Sequence, residues 1–239
     1  MSRSLSAEEA IALLREQPDA YRSVNSLRAL AARVDADAPG SLTILYSGPV
    51  AEGVWSTDVV NSMMKHGDDV RVINRSEVAI FLDSPDFYGA VADAHNIDFS
   101  KLYDNNYKGP ATDWLHHPTD GPWADASARF ADATVGEVRA IVSHAQPNRV
   151  FGEIELPRIL ANPNVTTIEG IPREALVGVK SRVGQLAAFE LIVARAHENV
   201  GTLRIPAVDE ALRDENGILR LDTRNYLLTT PVVGHSGIQ

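Results

Sequence analysis

The chain opens on a helical rhythm. Ile11, Leu13 and Leu14 gather on one side of a segment in which Ser6, followed three residues later by Glu9, forms a capping-box pattern. Pro18 stops that segment, and a second helix is predicted from about Arg22 to Val34. "DADAPG" is a loop. "SLTILYSG" is an apolar run of strand length that ends in Tyr46, Ser47 and Gly48. After the turn "GPVAEG" the pattern is helical again, from about Ser56 to Lys65. "VRVINRSEVAIFLDS" holds a turn around Asn74 and Ser76 and then a helix from about Glu77.

Residues 83 to 122 lose the rhythm. "DSPDFYG", "YDNNYKGPATDW" and "HHPTDGPW" are polar, aromatic and rich in turn formers, and so long a stretch without a period predicts a functional loop. Beyond it, "ADASARFADATVGE" predicts a helix. "VRAIVSHA" and "VTTIEGI" predict strands, "VGQLAAFELIVARAHEN" a helix with an apolar stripe, and "TLRIP" a further strand. "RVFGEIELPRIL", residues 149–160, reads as a buried strand. On a period of two it puts Phe151, Glu153 and Glu155 on one side and Gly152 and Ile154 on the other.

Strands alternating with helices predict a small parallel sheet, and the expected class is α/β. The whole of 1–239 is read as one domain. A mostly helical lobe, about 1–120, packs on a lobe with the parallel sheet, about 121–206, leaving a cleft between them. The strand at 42–48 joins the sheet lobe. Residues 207–239 suggest a hairpin and a tail and are assigned to neither lobe.

Composition narrows the functions. Hydrophobic residues make up 44% and charged residues 23%, as in ordinary globular domains. The chain has no cysteine, which excludes disulfides, thiolate metal sites and a cysteine nucleophile. A net charge of -10 weighs against nucleic acid or an anionic membrane surface as a partner. No apolar run approaches the roughly 20 residues that span a bilayer, and the first residues lack the apolar core of a secretory signal. The expected location is the cytoplasm, or the outside by a route needing no classical signal peptide. His116 and His117 are adjacent, so their side chains diverge, and no acid completes a metal set; no metal is expected.

Chemistry is expected where strands end. In a parallel sheet, sites form at the carboxyl ends of strands, so "ILYSG", "PWADASARFADA" and "FGEIELPRIL" would bring Tyr46, Ser47, Trp123, Ser127 and Glu155 together. Each residue alone has an ordinary explanation: a surface carboxylate, a plug at a helix start, a mid-helix serine, strand-end packing. Their order carries more weight than any one of them.

That order resembles the core of the ADP-ribosyl cyclase family, the cyclic ADP-ribose hydrolases. The shared features are Trp123, Ser127 four residues on, "ARFADA", the strand "VRAIVSH", then "FG" and Glu155. The likeness covers about residues 120–160. "LYS" at Leu45 to Ser47 supports it, and 58–82 echo it more loosely. The resemblance implies that Glu155 is the catalytic acid that binds the ribose hydroxyls and stabilises the oxocarbenium-like species as nicotinamide leaves. It implies that Ser127 faces the anomeric carbon, that Trp123 stacks on nicotinamide and that Tyr46 replaces a second pocket tryptophan. Ser47 and the backbone near Phe151 would cradle the diphosphate. Gly48 stands where the family has arginine, which removes a phosphate contact. The family's Glu-Asp turn, which positions nicotinamide, falls on "INRSE", where Asn74, Arg75 or Glu77 could serve.

The implied substrate is NAD, with no cofactor. Val150 stands before "FG", a position that the resemblance ties to an aromatic in cyclising relatives, so ADP-ribose is the expected main product and cyclic ADP-ribose the minor one. A cysteine-free acidic member looks microbial. It would be an intracellular signalling enzyme, or a toxin that depletes NAD and is held in check by a neutralising immunity protein. Two alternatives remain: a non-catalytic nucleotide- or protein-binding module, and a protein ADP-ribosyltransferase using the Glu153-x-Glu155 pattern.

Overall fold

The capping box forms as the pattern predicts. Glu9 N–H donates to Ser6 Oγ at 3.1 Å, Ser6 N–H donates to Glu9 Oε2 at 2.8 Å, and α1 (Ala7–Glu16) begins there. The computed structural model describes residues 3–51, 54–65, 69–104, 106–177 and 182–200. After α1 come α2 (Val24–Ala31), β1 (Leu42–Tyr46), β2 (Pro49–Ala51), β3 (Val54–Trp55) and α3 (Ser56–Lys65). Next are β4 (Val70–Arg71), α4 (Glu77–Leu82), α5 (Pro85–His95), α6 (Pro110–Leu115) and α7 (Pro122–Asp132). The last described elements are β5 (Gly136–Ile141), α8 (Leu156–Ala161), β6 (Val165–Ile168), β7 (Ile171–Pro172), α9 (Arg173–Val177) and α10 (Arg182–Val200).

The fold is α/β. Five strands form one sheet in the order β4-β1-β5-β6-β7. The first four are parallel, and β7 returns antiparallel to β6. Chain order makes the geometry informative: from β1 the chain moves outward to β4, then crosses back to β5 on the other side and on to β6. Connections leave β1 and β5 in opposite directions, the arrangement at which ligand sites form in open parallel sheets. Side chains alternate across the sheet. Leu45, Val138 and Ala140 join one apolar cluster, while Ile44 and Ile141 join another. Phe81, Phe87, Phe130 and Phe151 are fully buried in the larger cluster, each contributing roughly 2–3 kcal/mol by leaving water. Among the described residues no helix is long and apolar enough to cross a membrane.

Two sequence expectations are overturned. Residues 83–122 are not a loop but two helices and a 3-10 turn, Phe99–Tyr103. Ser84 and Pro85, which look like breakers, start α5 instead: Ser84 Oγ accepts from Phe87 N at 3.2 Å, and Pro85 occupies the first turn, where no N–H is needed. Pro110 likewise occupies the first turn of α6, after Gly109, which has no side chain to cap it. The second correction is 149–160, which is helical and is described with the site. "TLRIP" and 207–239 lie outside the described residues.

Candidate active site

Phe151–Glu155 form a π-helical turn that runs straight into α8. Leu156 N–H donates to the Phe151 carbonyl five residues back, not to Gly152. Pro157 supplies a reason. It has no N–H to give the Glu153 carbonyl, and its ring crowds that carbonyl, so a widened turn relieves the clash. Gly152 is required because a Cβ there would collide with the Pro147 carbonyl. On this turn Phe151 and Glu155, four apart, both face inward, while Glu153 is exposed. The strand reading that placed both acids on one side is therefore corrected, and the two carboxylates do not converge.

Glu155 is 6% exposed. Burial pushes its carboxyl up to about 7, because the charged form loses its water; the Ser127 hydroxyl, donating to the carboxylate, works against that rise. Phe151 is held from behind by Phe189 of α10, with ring centroids 5.8 Å apart.

Trp123 and Ser127 are four apart on α7 and so share a face; Phe130 completes it. Gly121 lets the chain enter α7 where a Cβ would stand 2.6 Å from the Trp114 carbonyl. Arginines fix α7 in place. Arg28 of α2 donates to Asp125 at 2.5 Å and to Asp120 at 2.6 Å, and Arg129 donates to the Val34 and Ala31 carbonyls at 2.6 and 3.0 Å. The buried guanidinium of Arg71 lies 4.1 Å from the centre of the Phe130 ring and donates to Thr134 at 3.1 Å. Trp123 is half-buried, and its indole N–H has no hydrogen-bond partner among the described residues.

Tyr46 ends β1. Its hydroxyl donates to Asn74 Oδ1, from the 3-10 turn after β4. The pairing follows from register: Thr43 lies opposite Arg71 in parallel strands, so the positions three further along each chain remain opposite one another. Burial first, then the charges of Glu155 and Asp83, push the Tyr46 hydroxyl well above its ordinary value, so it stays a proton donor.

These residues line one cavity of about 180 Å3, walled by Tyr46, Ser47, Asn74, Trp123, Ser127 and Glu155 over a floor that includes Phe130 and Phe151. The structure thus brings together seven of the ten residues named for the site. Gly48 lies outside the lining. Its φ is 77°, and a Cβ there would come within 3.2 Å of the His144 carbonyl, so backbone geometry accounts for the glycine. Glu77 is also elsewhere: its carboxylate accepts from Ala7 N–H at 2.7 Å and caps α1. Arg75 donates to the Val70 carbonyl at 3.0 Å. Sequence reasoning missed Phe130 and Ile73, although Phe130, seven after Trp123, sits on the same helical face. It also missed Asp83, whose charge reaches Tyr46 and which no local pattern marks. Among the described residues no group of three or more His, Asp or Glu side chains is placed to hold a metal ion.

Chemically, the cavity offers one buried carboxylate, an indole in the same lining, a hydroxyl beside that carboxylate, and an amide bonded to a phenol. The chain matches no protein-family model, no curated protein and no solved structure.

Proposed function

We propose that this protein is an NAD-cleaving glycosidase of the ADP-ribosyl cyclase type, releasing nicotinamide and forming mainly ADP-ribose. The observation that carries the reading is Glu155, buried in the lining of the same cavity as Trp123 and Tyr46. In this reading the helices before α7 form one lobe and the sheet belongs to the other, with the cavity at the base of the cleft between them.

The chemistry suits these residues. When the bond from the anomeric carbon to the pyridinium nitrogen breaks, its electron pair goes to that nitrogen and nicotinamide leaves neutral, so no acid is needed at the leaving group. The ribosyl cation left behind needs a negative charge, which Glu155 supplies in a site with little competing water. Water then adds to the anomeric carbon and loses a proton. NAD is the substrate and no cofactor takes part. Used as a toxin, the protein would have a neutralising immunity protein as partner; neither nucleic acid nor membrane has a role in the reading.

Incubating purified protein with NAD and resolving nicotinamide, ADP-ribose and cyclic ADP-ribose by chromatography tests the proposal. Stoichiometric nicotinamide release is expected. Tight NAD binding without release would favour a binding module instead. Because Glu155 must be ionised, kcat/KM is expected to rise with pH through about 7, the position of its carboxyl in the free protein.

Two predictions arise from the walls of the cavity. Trp123→Ala is expected to raise KM roughly 10-fold, since stacking on a desolvated pyridinium is worth about 1–2 kcal/mol. NAD should quench tryptophan fluorescence in the parent and not in Trp123→Phe; equal quenching in both would assign the signal to Trp114 or Trp55. Val150 lines the cavity beside Phe151. Val150→Phe gives the purine a ring to fold onto and should raise the cyclic share of product at least ~3-fold. An unchanged product ratio would remove Val150 from the control of product choice.

A further inference from the structure

The cavity is small for the whole of a dinucleotide. Its volume of about 180 Å3 is below the roughly 300–1,000 Å3 of pockets that enclose a drug-sized ligand. In the glycosidase reading it takes the pyridine and its ribose, and the purine end lies outside. A purine needs a flat apolar face to stack on. Three rings that offer one meet where α5 packs on the 3-10 turn Phe99–Tyr103. Tyr88 and Tyr103 are stacked, with centroids 5.2 Å apart and planes inclined by 22°, and Phe99 meets Tyr103 edge-on at 5.0 Å. The core does not use these rings up, since Tyr103 is 54% exposed and Phe99 40%. Rings already held by one another lose little freedom when a ligand arrives. The group is also close to the cavity. Asn74, in the lining, precedes α4, whose six residues rise only about 9 Å to Asp83. Tyr88 stands in the first turn of α5, directly after it. Burial first, then the charges of Asp83 and Tyr103, raise the Tyr88 hydroxyl, and Asp83 acts on Tyr46 as well, after burial and Glu155.

We infer that Tyr88, Tyr103 and Phe99 form a platform outside the cavity on which the purine of the dinucleotide stacks while its pyridine end is cleaved beside Glu155. The inference rests on the glycosidase reading given above and adds the residues that hold the other end of the substrate. It also bears on the product. A purine held on Tyr103 is kept away from the anomeric carbon, so water reaches that carbon first and ADP-ribose prevails. Stacking reads the face of a base and not its edge, so the platform accepts guanine or hypoxanthine in place of adenine.

The test sets NAD against nicotinamide mononucleotide, which has the same scissile bond and no purine. Tyr103→Ala is expected to raise KM for NAD by ~5–20-fold and to leave kcat within ~2-fold. Its kcat/KM for the mononucleotide should stay within ~2-fold of the parent, a control that a damaged fold would fail. Tyr103→Phe keeps the ring and should keep KM for NAD within ~2-fold. AMP, the purine half alone, should compete with NAD in the parent and lose affinity in Tyr103→Ala by the same ~5–20-fold, an arm that needs no turnover of the mononucleotide. If Tyr103→Ala moves neither KM for NAD nor the inhibition by AMP, the platform is wrong and the glycosidase reading stands. Equal losses for NAD and the mononucleotide overturn the platform as well. If the parent releases no nicotinamide from NAD, both readings fall.

Discussion

Replacing Glu155 with glutamine is expected to leave a folded protein that releases nicotinamide from NAD at least ~100-fold more slowly. The size follows from where the charge acts. Glutamine keeps the shape of the side chain and its contact with Ser127, but it cannot stabilise the cation that develops on the ribose. Removing an electrostatic group of this kind from a water-poor site costs about 100- to 1,000-fold in turnover. Substrate affinity should change far less, since the lost interaction strengthens only as the bond breaks. Single-turnover measurements with parent and variant provide the check. Turnover within a few-fold of the parent would remove Glu155 from the chemistry. Glu153→Gln is the matched control: its carboxylate is exposed on the other side of the turn, and its loss should be nearly silent.

The same substitution should stabilise the protein in alkaline but not in acidic solution. Burial holds the folded carboxyl near 7 against an ordinary value of 4.5. Between those pH values the native state keeps a proton that the unfolded chain has lost, so the unfolded state binds fewer protons and stability falls as pH rises. The fall begins above about 4.5 and is complete above about 7. It amounts to roughly 3.5 kcal/mol, taking about 1.4 kcal/mol for each unit of displacement. Glutamine cannot ionise and escapes this penalty. Urea midpoints at pH 8 should therefore favour Glu155→Gln by ~1–3 kcal/mol, and at pH 5 the two proteins should be nearly equal. The slope of each transition should stay unchanged. The same difference at both pH values would mean that the carboxyl is not displaced. A gain in stability together with a loss of turnover is the expected mark of a charge held for function at the expense of the fold.

Part of this arrangement is legible in the residues themselves. The Ser6–Glu9 box, the start of α3 at Ser56, the apolar runs that become β1 and β5, and the Trp123–Ser127 spacing on α7 depend on neighbours within a few positions. Periodicity and cap chemistry act over that range. The prediction of a long loop at 83–122 failed for a related reason. Serine or glycine followed by proline both breaks and starts helices, and what decides between these is whether apolar residues such as Phe87, Val91 and Leu115 find a core to enter.

The turn that carries Glu155 was beyond local reading. A run of mixed apolar and polar residues with Gly152 and Pro157 inside it fits a strand as readily as a helix, because its period is too short to distinguish. Long-range packing settles it: Phe151 against Phe189 in α10, and Gly152 against the Pro147 carbonyl. The orientation of Asn74 is likewise non-local, since the Tyr46 hydroxyl that fixes it comes from the neighbouring strand, 28 residues earlier. By itself the sequence determined which side chains were available and which segments were helix or strand wherever near neighbours sufficed. The tertiary structure alone decided which carboxylate is buried and which end of an amide the phenol holds, because burial and hydrogen-bond direction depend on residues that only the fold brings together.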